Sequence, residues 1–471
     1  MNGGRGDGLP ARLRSGPVLD PKVFKAYDVR GIYPTELDEE GARAIGRAYV
    51  EEFEPRRIAI GRDMRTMAPA MAAAAIEGAA AAGAIVLDLG MVGTEMVYLA
   101  VGELGLDGGI AVTASHNPKE YTGMKIVRAG ALPVGGDSGL LDVRDRALAE
   151  SGVSASQATG HGEKGRVEQY DVWPGYVERV LSFVDPRAIR PLRIVIDAAN
   201  GMGGAMLPPV LERLPAVTTV RCHFEPDGTF PNHEPNPLLP ENRAFVVAKT
   251  LEERADFGVA FDGDADRCFF VDDTGEFVPG DFVTALLAES VLEKEPGGKV
   301  IYDVRASWAV PETIERAGGV PLVNRVGHAF IKHRMREEDA VFGGEVSGHY
   351  YFRDFSQADS GMVPFLLMLE LVSKRGRKLS EILASYRSRY FITGELNTPV
   401  PDVARKLRDL EDRFGGEGRV SHLDGVSVDG GDWHMNVRPS NTEPLLRLNL
   451  EARTPELMER KRDEVLAAIR G

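Results

Sequence analysis

Asp262, Asp264 and Asp266 stand at alternating positions, with Gly263 placed to allow the bend that gathers their carboxylates. Hard divalent cations prefer oxygen ligands, and magnesium takes a few carboxylates together with a phosphate oxygen. The apolar run Phe257–Phe261 before the cluster and Cys268–Val271 after it set the aspartates between buried segments, which favours a metal cradle over a solvated acidic turn. An EF-hand would need glycine and glutamate where Arg267 and Asp273 stand, so that reading is disfavoured. Phosphorylation of Asp262 itself, as in aspartyl-phosphate phosphatases, stays open on spacing alone.

Three further loops carry reactive or recognition groups. In Thr113-Ala114-Ser115-His116-Asn117-Pro118 a serine follows a buried run and is held by a proline-limited loop. A serine hydroxyl is a weak nucleophile and needs a base, a metal or a preattached group. No Gly-x-Ser-x-Gly elbow surrounds it, which argues against an esterase triad. Gly344-Glu345-Val346-Ser347-Gly348-His349 offers an acceptor, a hydroxyl and a titratable ring, a set suited to vicinal sugar hydroxyls. Arg438-Pro439-Ser440-Asn441-Thr442-Glu443-Pro444 puts one guanidinium beside small hydrogen-bonding side chains, as a phosphate dianion requires. Alone, each is also compatible with an ordinary polar turn. Together they supply a phosphorylatable hydroxyl, a metal cradle, a hydroxyl reader and a phosphate clamp.

The elements that must position these loops are short β-branched runs alternating with alanine- and leucine-rich stretches, the pattern of βαβ units. Strands are predicted at Ile58–Gly61, Ile85–Gly90, Ile110–Ala114, Leu192–Ile196, Phe257–Phe261, Val300–Val304 and Ala340–Phe342, and a helix over Pro69–Gly83. The loop Asp197-Ala198-Ala199-Asn200-Gly201 also follows a strand, and in open α/β sheets ligands gather at strand carboxyl ends. Ser151–Gly165 reads as a linker, and Glu225–Glu241, with five prolines, as irregular. After Phe391 the texture changes to a smaller α+β tail. The predicted division is a flexible terminus at 1–17, α/β units at 18–168, 169–277 and 278–389, and an α+β unit at 390–471.

The length of 471 residues exceeds what one core usually holds, consistent with several domains. Hydrophobic residues make up 43% and charged residues 27%, the balance of a globular protein. A net charge of −15, from 56 basic and 71 acidic residues, argues against a nucleic-acid or anionic-membrane surface, but a local arginine pocket can still hold a small anion. Cys222 and Cys268 are too few for a disulfide framework, Met1–Pro17 has no apolar signal region, and no run is long enough to span a bilayer. A cytoplasmic location is expected.

The four motifs, in this order and preceded by Phe24-Lys25-Ala26-Tyr27-Asp28-Val29-Arg30-Gly31, resemble the α-D-phosphohexomutases, the family of phosphomannomutase and phosphoglucomutase enzymes. The resemblance covers nearly the whole chain. It implies four domains around a central cleft, three related α/β units with mixed or parallel sheets and a C-terminal α+β unit. It implies Ser115 as the phosphoserine, with Asp262, Asp264, Asp266 and the Ser115 phosphate holding Mg²⁺. Arg30, His116, Lys125, Arg267, His328 and His349 become candidate catalytic groups. Tyr27, Arg305, Glu345, Ser347, Arg438, Ser440, Asn441 and Thr442 become candidate contacts to the sugar phosphate.

The implied reaction is reversible phosphoryl transfer between the 1- and 6-positions of a hexose phosphate through a hexose 1,6-bisphosphate, which also serves as activator. The chain would act as a monomer or homodimer. Arg305, Ser307, Trp308 and Ala309 depart from the family pattern around a lysine, and Val346 from a methionine or glutamine. The continuation Tyr350-Tyr351-Phe352-Arg353 is closer to phosphomannomutases, which favours mannose phosphate. Phosphoglucomutase and phosphoglucosamine mutase activities are the alternatives within the family. A non-catalytic phosphosugar sensor is the alternative outside it, weakened because Ser115 and all three aspartates are present.

Overall fold

A computed structural model describes residues 19–150, 165–440 and 445–471. Residues 1–17, nearly all of Ser151–Gly165, and Asn441 and Thr442 lie outside the described residues.

Each predicted strand is found, most with shifts of one or two residues at the ends. The largest shift is at Ala340–Phe342, where the strand is Phe342–Gly344. The predicted helix is Ala68–Ala81, and it lies against Glu39–Phe53 at unusually short range. A Cβ on Gly46 would stand 2.2 Å from the Ala75 carbonyl oxygen, and one on Gly78 would stand 2.0 Å from that of Arg43. The alanine-rich composition therefore serves a close helix pair.

Four sheets are present among the described residues. In the first, Arg57–Arg62 runs parallel to Ile85–Met91 and to Gly108–Val112, while Tyr121–Arg128 returns antiparallel and pairs with Val29–Ile32. In the second, Leu192–Asp197 runs parallel to Val217–Cys222 and Phe257–Phe261, and Cys268–Asp272 returns antiparallel. In the third, Lys299–Asp303 runs parallel to Val320–Asn324 and Phe342–Gly344, and Tyr350–Phe352 returns antiparallel. Each α/β unit thus closes a parallel core with an antiparallel return strand. The loop before that return carries Ser115 in the first unit, Asp262–Asp266 in the second and Glu345–His349 in the third.

The fourth sheet is antiparallel, with Trp433–Pro439 between Val426–Asp429 and Leu445–Ala452. Helices Val403–Phe414 and Pro455–Arg470 share its separate core. The proline-rich segment is irregular as far as Leu239, but Pro240 and Glu241 open the helix Pro240–Glu252. Proline suits a first helical position, where its missing N–H costs no hydrogen bond.

One continuous apolar core joins parts of the three α/β units. The helix Met362–Arg375 is buried from Met362 through Ser373, and over that stretch it is apolar on nearly every side, Glu370 and Ser373 excepted, because it has no solvent face there. No helix among the described residues is long and apolar enough to cross a membrane.

Candidate active site

Ser115 follows the fully buried strand Gly108–Val112 and takes a left-handed backbone conformation, φ +49°. Such a conformation in a non-glycine residue costs about 1–2 kcal/mol and needs surrounding support. Thr113 Oγ1 accepts the Ser115 N–H at 2.9 Å. Buried Arg65 donates to four carbonyl oxygens of the loop: Ser115 at 2.8 Å, Asn117 at 2.6 Å, Pro118 at 2.8 Å and Tyr121 at 3.1 Å. Arg30 reaches the Ala114 carbonyl and Asn117 Oδ1 while Asp28 holds its Nε at 2.9 Å. Arg65 was not among the residues singled out by sequence. Its only signal is the polar run Arg62-Asp63-Met64-Arg65 at a strand carboxyl end.

The acidic loop meets the serine loop directly. A Cβ at Gly263 would stand 2.3 Å from the Ser115 carbonyl oxygen, so only glycine lets the two backbones approach this closely. Ser115 Oγ donates to Asp262 Oδ2 at 3.1 Å and lies 3.3 Å from His116 Nδ1. Arg267 Nε donates to Asp262 Oδ2 at 2.9 Å, and its Nη2 contacts His116 Nδ1. A guanidinium can only donate, so His116 Nδ1 is the acceptor and the ring proton sits on Nε2. Burial, then the charges of Arg267 and Arg30, drive the His116 pKa well below the ordinary imidazole range, so the ring is neutral.

Asp262, Asp264 and Asp266 are all buried, and one carboxylate oxygen from each lies within 4.8 Å of the others. Lys125 Nζ donates to Asp264 Oδ2 at 2.7 Å and to Asp266 Oδ2, and Thr94 Oγ1 donates to Asp264 Oδ2 at 2.5 Å. Burial works to raise Asp264, but Lys125 outweighs it and holds this carboxyl well below the usual range. Burial raises Asp266 well above that range, with the Asp264 charge adding to it. Against burial of its ammonium, Asp264 and Asp266 together hold Lys125 well above its ordinary value, so it is protonated. Asp264 Oδ1 and Asp266 Oδ1 are buried and have no hydrogen-bond partner among the described residues. Three gathered aspartates, two of them with an orphaned carboxylate oxygen, fit a hard divalent cation.

The reader loop is equally built. Glu345 accepts from the Gly327 N–H at 2.9 Å and from the Tyr351 hydroxyl at 2.5 Å, with Arg305 at 3.8 Å. Ser347 Oγ lies 3.0 Å from His349 Nδ1. A ring nitrogen of His349 and one oxygen each of Asp266 and Asp359 also fall within 4.8 Å of one another, so the third unit reaches the acidic loop. Burial lowers His328 to about 3 and takes His349 well below the usual range. The Tyr27 ring meets His328 edge-on at 5.2 Å, bringing the first unit onto the third. Lys332, fully buried, donates to Asp359 at 2.7 Å beneath this contact; sequence reading missed the pair, which is distant along the chain.

Arg305 is clamped by Asp303, Nε to Oδ1 at 2.8 Å and Nη2 to Oδ2 at 2.9 Å. Its Nη1 also lies 3.5 Å from Glu395 Oε2. That glutamate further accepts from Arg438 Nη2 at 3.1 Å and from Arg447 Nη1 at 2.8 Å. Arg447 Nη2 donates to Ser440 Oγ at 3.3 Å. Arg438 and Arg447 are paired across neighbouring strands, a register that the sequence does not display. Glu395 and Arg447 are therefore additions to the sequence-derived set. Ser307 and Trp308, which depart from the family pattern, bind Glu451 through Ser307 Oγ at 2.6 Å and the Trp308 N–H at 2.8 Å. They dock the fourth unit on the third.

The structure thus brings Ser115, His116, Lys125, Arg30, Arg267 and the three aspartates into one network, and Tyr27, His328, Glu345, Ser347 and His349 into a second beside it. Arg305, Arg438 and Ser440 form a third group with Glu395 and Arg447.

Comparison with known proteins matches four family models along the chain, all phosphoglucomutase/phosphomannomutase: α/β/α domain I over residues 21–141, domain II over 174–275, domain III over 279–390 and the C-terminal domain over 395–468. A protein of Xanthomonas campestris pv. campestris described as "Phosphohexose mutases" is 44% identical over 95% of this chain and 99% of its own. A phosphomannomutase of Salmonella montevideo is 44% identical over 95% of this chain and 98% of its own. A solved structure of a phosphoglucomutase/phosphomannomutase family protein from Burkholderia thailandensis superposes with a TM-score of 0.85 at 33% identity, covering 96% of this chain and 97% of that one.

Proposed function

The chain belongs to the phosphoglucomutase/phosphomannomutase family and is a phosphohexomutase, and on that premise we propose that it moves a phosphoryl group between the 1- and 6-positions of mannose phosphate with Ser115 as the carrier. The observation that carries this reading is the Ser115 hydroxyl, buried and 3.1 Å from Asp262, beside carboxylates with two orphaned oxygens.

In the phosphorylated form, the Ser115 Oγ–P bond breaks as a bond forms from phosphorus to the free hydroxyl of the hexose phosphate. The hydroxyl proton passes to a base on the chain, and Ser115 Oγ regains a proton. This yields a hexose 1,6-bisphosphate, which reverses end for end and returns its other phosphate to Ser115. Asp262, Asp264 and Asp266, with the phosphate on Ser115, are proposed to hold Mg²⁺, which supplies charge neutralisation at the transferring group. Arg267 and Arg30 add fixed positive charge at the same place. Protonated Lys125 can give a proton to a leaving oxygen, and neutral His116, whose Nδ1 accepts from Arg267, offers its Nε2–H as a donor. Glu345, Ser347 and His349 are proposed to read the sugar hydroxyls. Arg438, Ser440, Asn441 and Thr442, joined by Arg447, are proposed to hold the distal phosphate.

Unit boundaries near 168, 277 and 389, cytoplasmic location and action as monomer or homodimer belong to the same proposal; the two buried, unpaired cysteines support the location. A coupled assay with Mg²⁺ and a trace of hexose 1,6-bisphosphate tests the substrate: mannose 1-phosphate should turn over faster than glucose 1-phosphate or glucosamine 6-phosphate. Labelled phosphate should map to Ser115 and vanish in Ser115→Ala, with activity falling about 10⁴-fold or more. Label on Asp262 would overturn the carrier assignment.

A further inference from the structure

Outside these networks, the second unit gathers one aspartate and two histidines. Asp197 ends the strand Leu192–Asp197, His223 follows Val217–Cys222, and His233 lies in the proline-rich loop. His223 Nδ1 is 2.9 Å from Asp197 Oδ1, and His233 Nε2 is 3.0 Å from Asp197 Oδ2. His233 Nδ1 lies 2.9 Å from the Glu234 carbonyl oxygen. A carbonyl only accepts, so Nδ1 carries the proton, and a neutral ring then turns the Nε2 lone pair toward a carboxylate that also only accepts. Either the ring is an imidazolium or a cation sits between the two.

The second arrangement has the features of a metal-ligating histidine, whose other ring N–H is typically given to a backbone carbonyl. Two imidazole nitrogens and one carboxylate oxygen form a donor set for zinc-class cations rather than for magnesium. The three candidate ligand atoms lie within 4.8 Å of one another. Zinc bonds of about 2.0–2.1 Å set tetrahedral ligands about 3.3 Å apart, so the two nitrogen–oxygen contacts of 2.9 and 3.0 Å need to open by only a few tenths of an ångström. The histidine side chains keep 15% and 13% of their surface exposed, leaving access for water as a fourth ligand.

The surroundings are fixed. The Ala199 N–H donates to Asp197 Oδ1 at 3.0 Å and the Asn200 N–H to the His223 carbonyl at 2.8 Å. Asn200 Nδ2 donates to the Glu225 carbonyl at 2.9 Å, and Asn232 Nδ2 to Asn200 Oδ1 at 2.7 Å. We propose that Asp197, His223 and His233 form a second metal site for a zinc-class divalent cation, separate from the aspartate cradle. The bound ion staples the proline-rich loop to the second sheet. That loop supports the serine loop: the Phe230 ring lies 5.1 Å from the Arg65 guanidinium, and Pro235 packs near Gly263.

The test uses the full chain, stripped with chelator, returned to excess Mg²⁺ and titrated with Zn²⁺ alone by calorimetry. One saturable Zn²⁺ equivalent is expected. His223→Gln and His233→Gln should each weaken it by about tenfold or more, with Asp264→Asn leaving it in place. No saturable uptake, or uptake lost in Asp264→Asn and untouched by the histidine variants, overturns the site. Should the glutamine variants not fold, Co²⁺ loaded into the wild-type chain in excess Mg²⁺ decides. Intense tetrahedral d–d absorption supports the site, and a weak octahedral spectrum overturns it.

Discussion

The serine–aspartate end of the cleft and the Arg438 end are built on opposite plans. At the first, nearly every charge is buried and already answered: Arg267 by Asp262, Lys125 by Asp264 and Asp266, and Arg65 by four loop carbonyls. At the second, Arg438 and Arg447 share Glu395, which also lies near Arg305, and the Nε atoms of Arg438 and Arg447 have no partner among the described residues. Burial and the neighbouring Arg305 lower the Arg438 pKa, the direction expected where positive charge is in surplus. The difference teaches where preorganisation resides. Under the proposed function, the serine–aspartate end is fixed before substrate arrives, because reorganising it during phosphoryl transfer would raise the barrier. The other end keeps cationic donors in reserve, which suits the role proposed for it, accepting either phosphate of a reversing intermediate.

Substitutions can break or sharpen this contrast. Lys125→Met removes the cation between Asp264 and Asp266 and should lower kcat by roughly 10²–10⁴-fold with little change in KM, read by steady-state assay. A change confined to KM would erase the distinction between the two ends.

The next largest effect is on stability. Glu95 supports the acidic loop through Gly361, accepting from the Gly361 N–H at 2.9 Å and from the Tyr176 hydroxyl, while Gly361 packs against the backbone of Ala265 and Arg267. Burial raises its carboxyl to about 7, against 4.5 ordinarily. Between those pH values the folded chain keeps a proton that the unfolded chain has released. Its contribution is therefore fully present below about pH 4.5 and lost as pH rises through 7, a change of roughly 3 kcal/mol. Denaturant unfolding should show wild type losing about that much more than Glu95→Gln over this window. Parallel pH profiles would mean that this support is not held neutral.

At the clamp, Arg438→Lys should raise KM about 10- to 100-fold and spare kcat, since a directional charge-assisted donor is lost from binding alone. Smallest of all, Glu395→Gln should release its arginines and lower KM about two- to fivefold. A higher KM would show that Glu395 orients the clamp rather than holding it in check.

Much of this was legible in the chain. Ser115 and Asp262–Asp266 were marked by polar residues immediately after apolar strands, because a buried strand reports its own end. Helix Ala68–Ala81 and the tail after Phe391 were visible through composition and periodicity. The supports were hidden. Arg65 reads as one more polar residue after a strand, and Lys332 as a surface helix lysine, although its side chain is fully buried. Glu395 lies in a connection whose three arginine neighbours come from two other stretches of chain. Ser307 and Trp308 looked like departures in the site, and only the position of Glu451 shows that they hold two units together.

By itself, the sequence determined the order of units, the chemical types at each loop and the family, because local patterning and short motifs are carried by neighbouring residues. Only the tertiary structure decided which lone pairs and protons face one another: Lys125 between two aspartates, His116 neutral beside Arg267, and Glu395 among three arginines. Those pairings depend on burial and on contacts between residues far apart in the chain, and burial decides which charges persist.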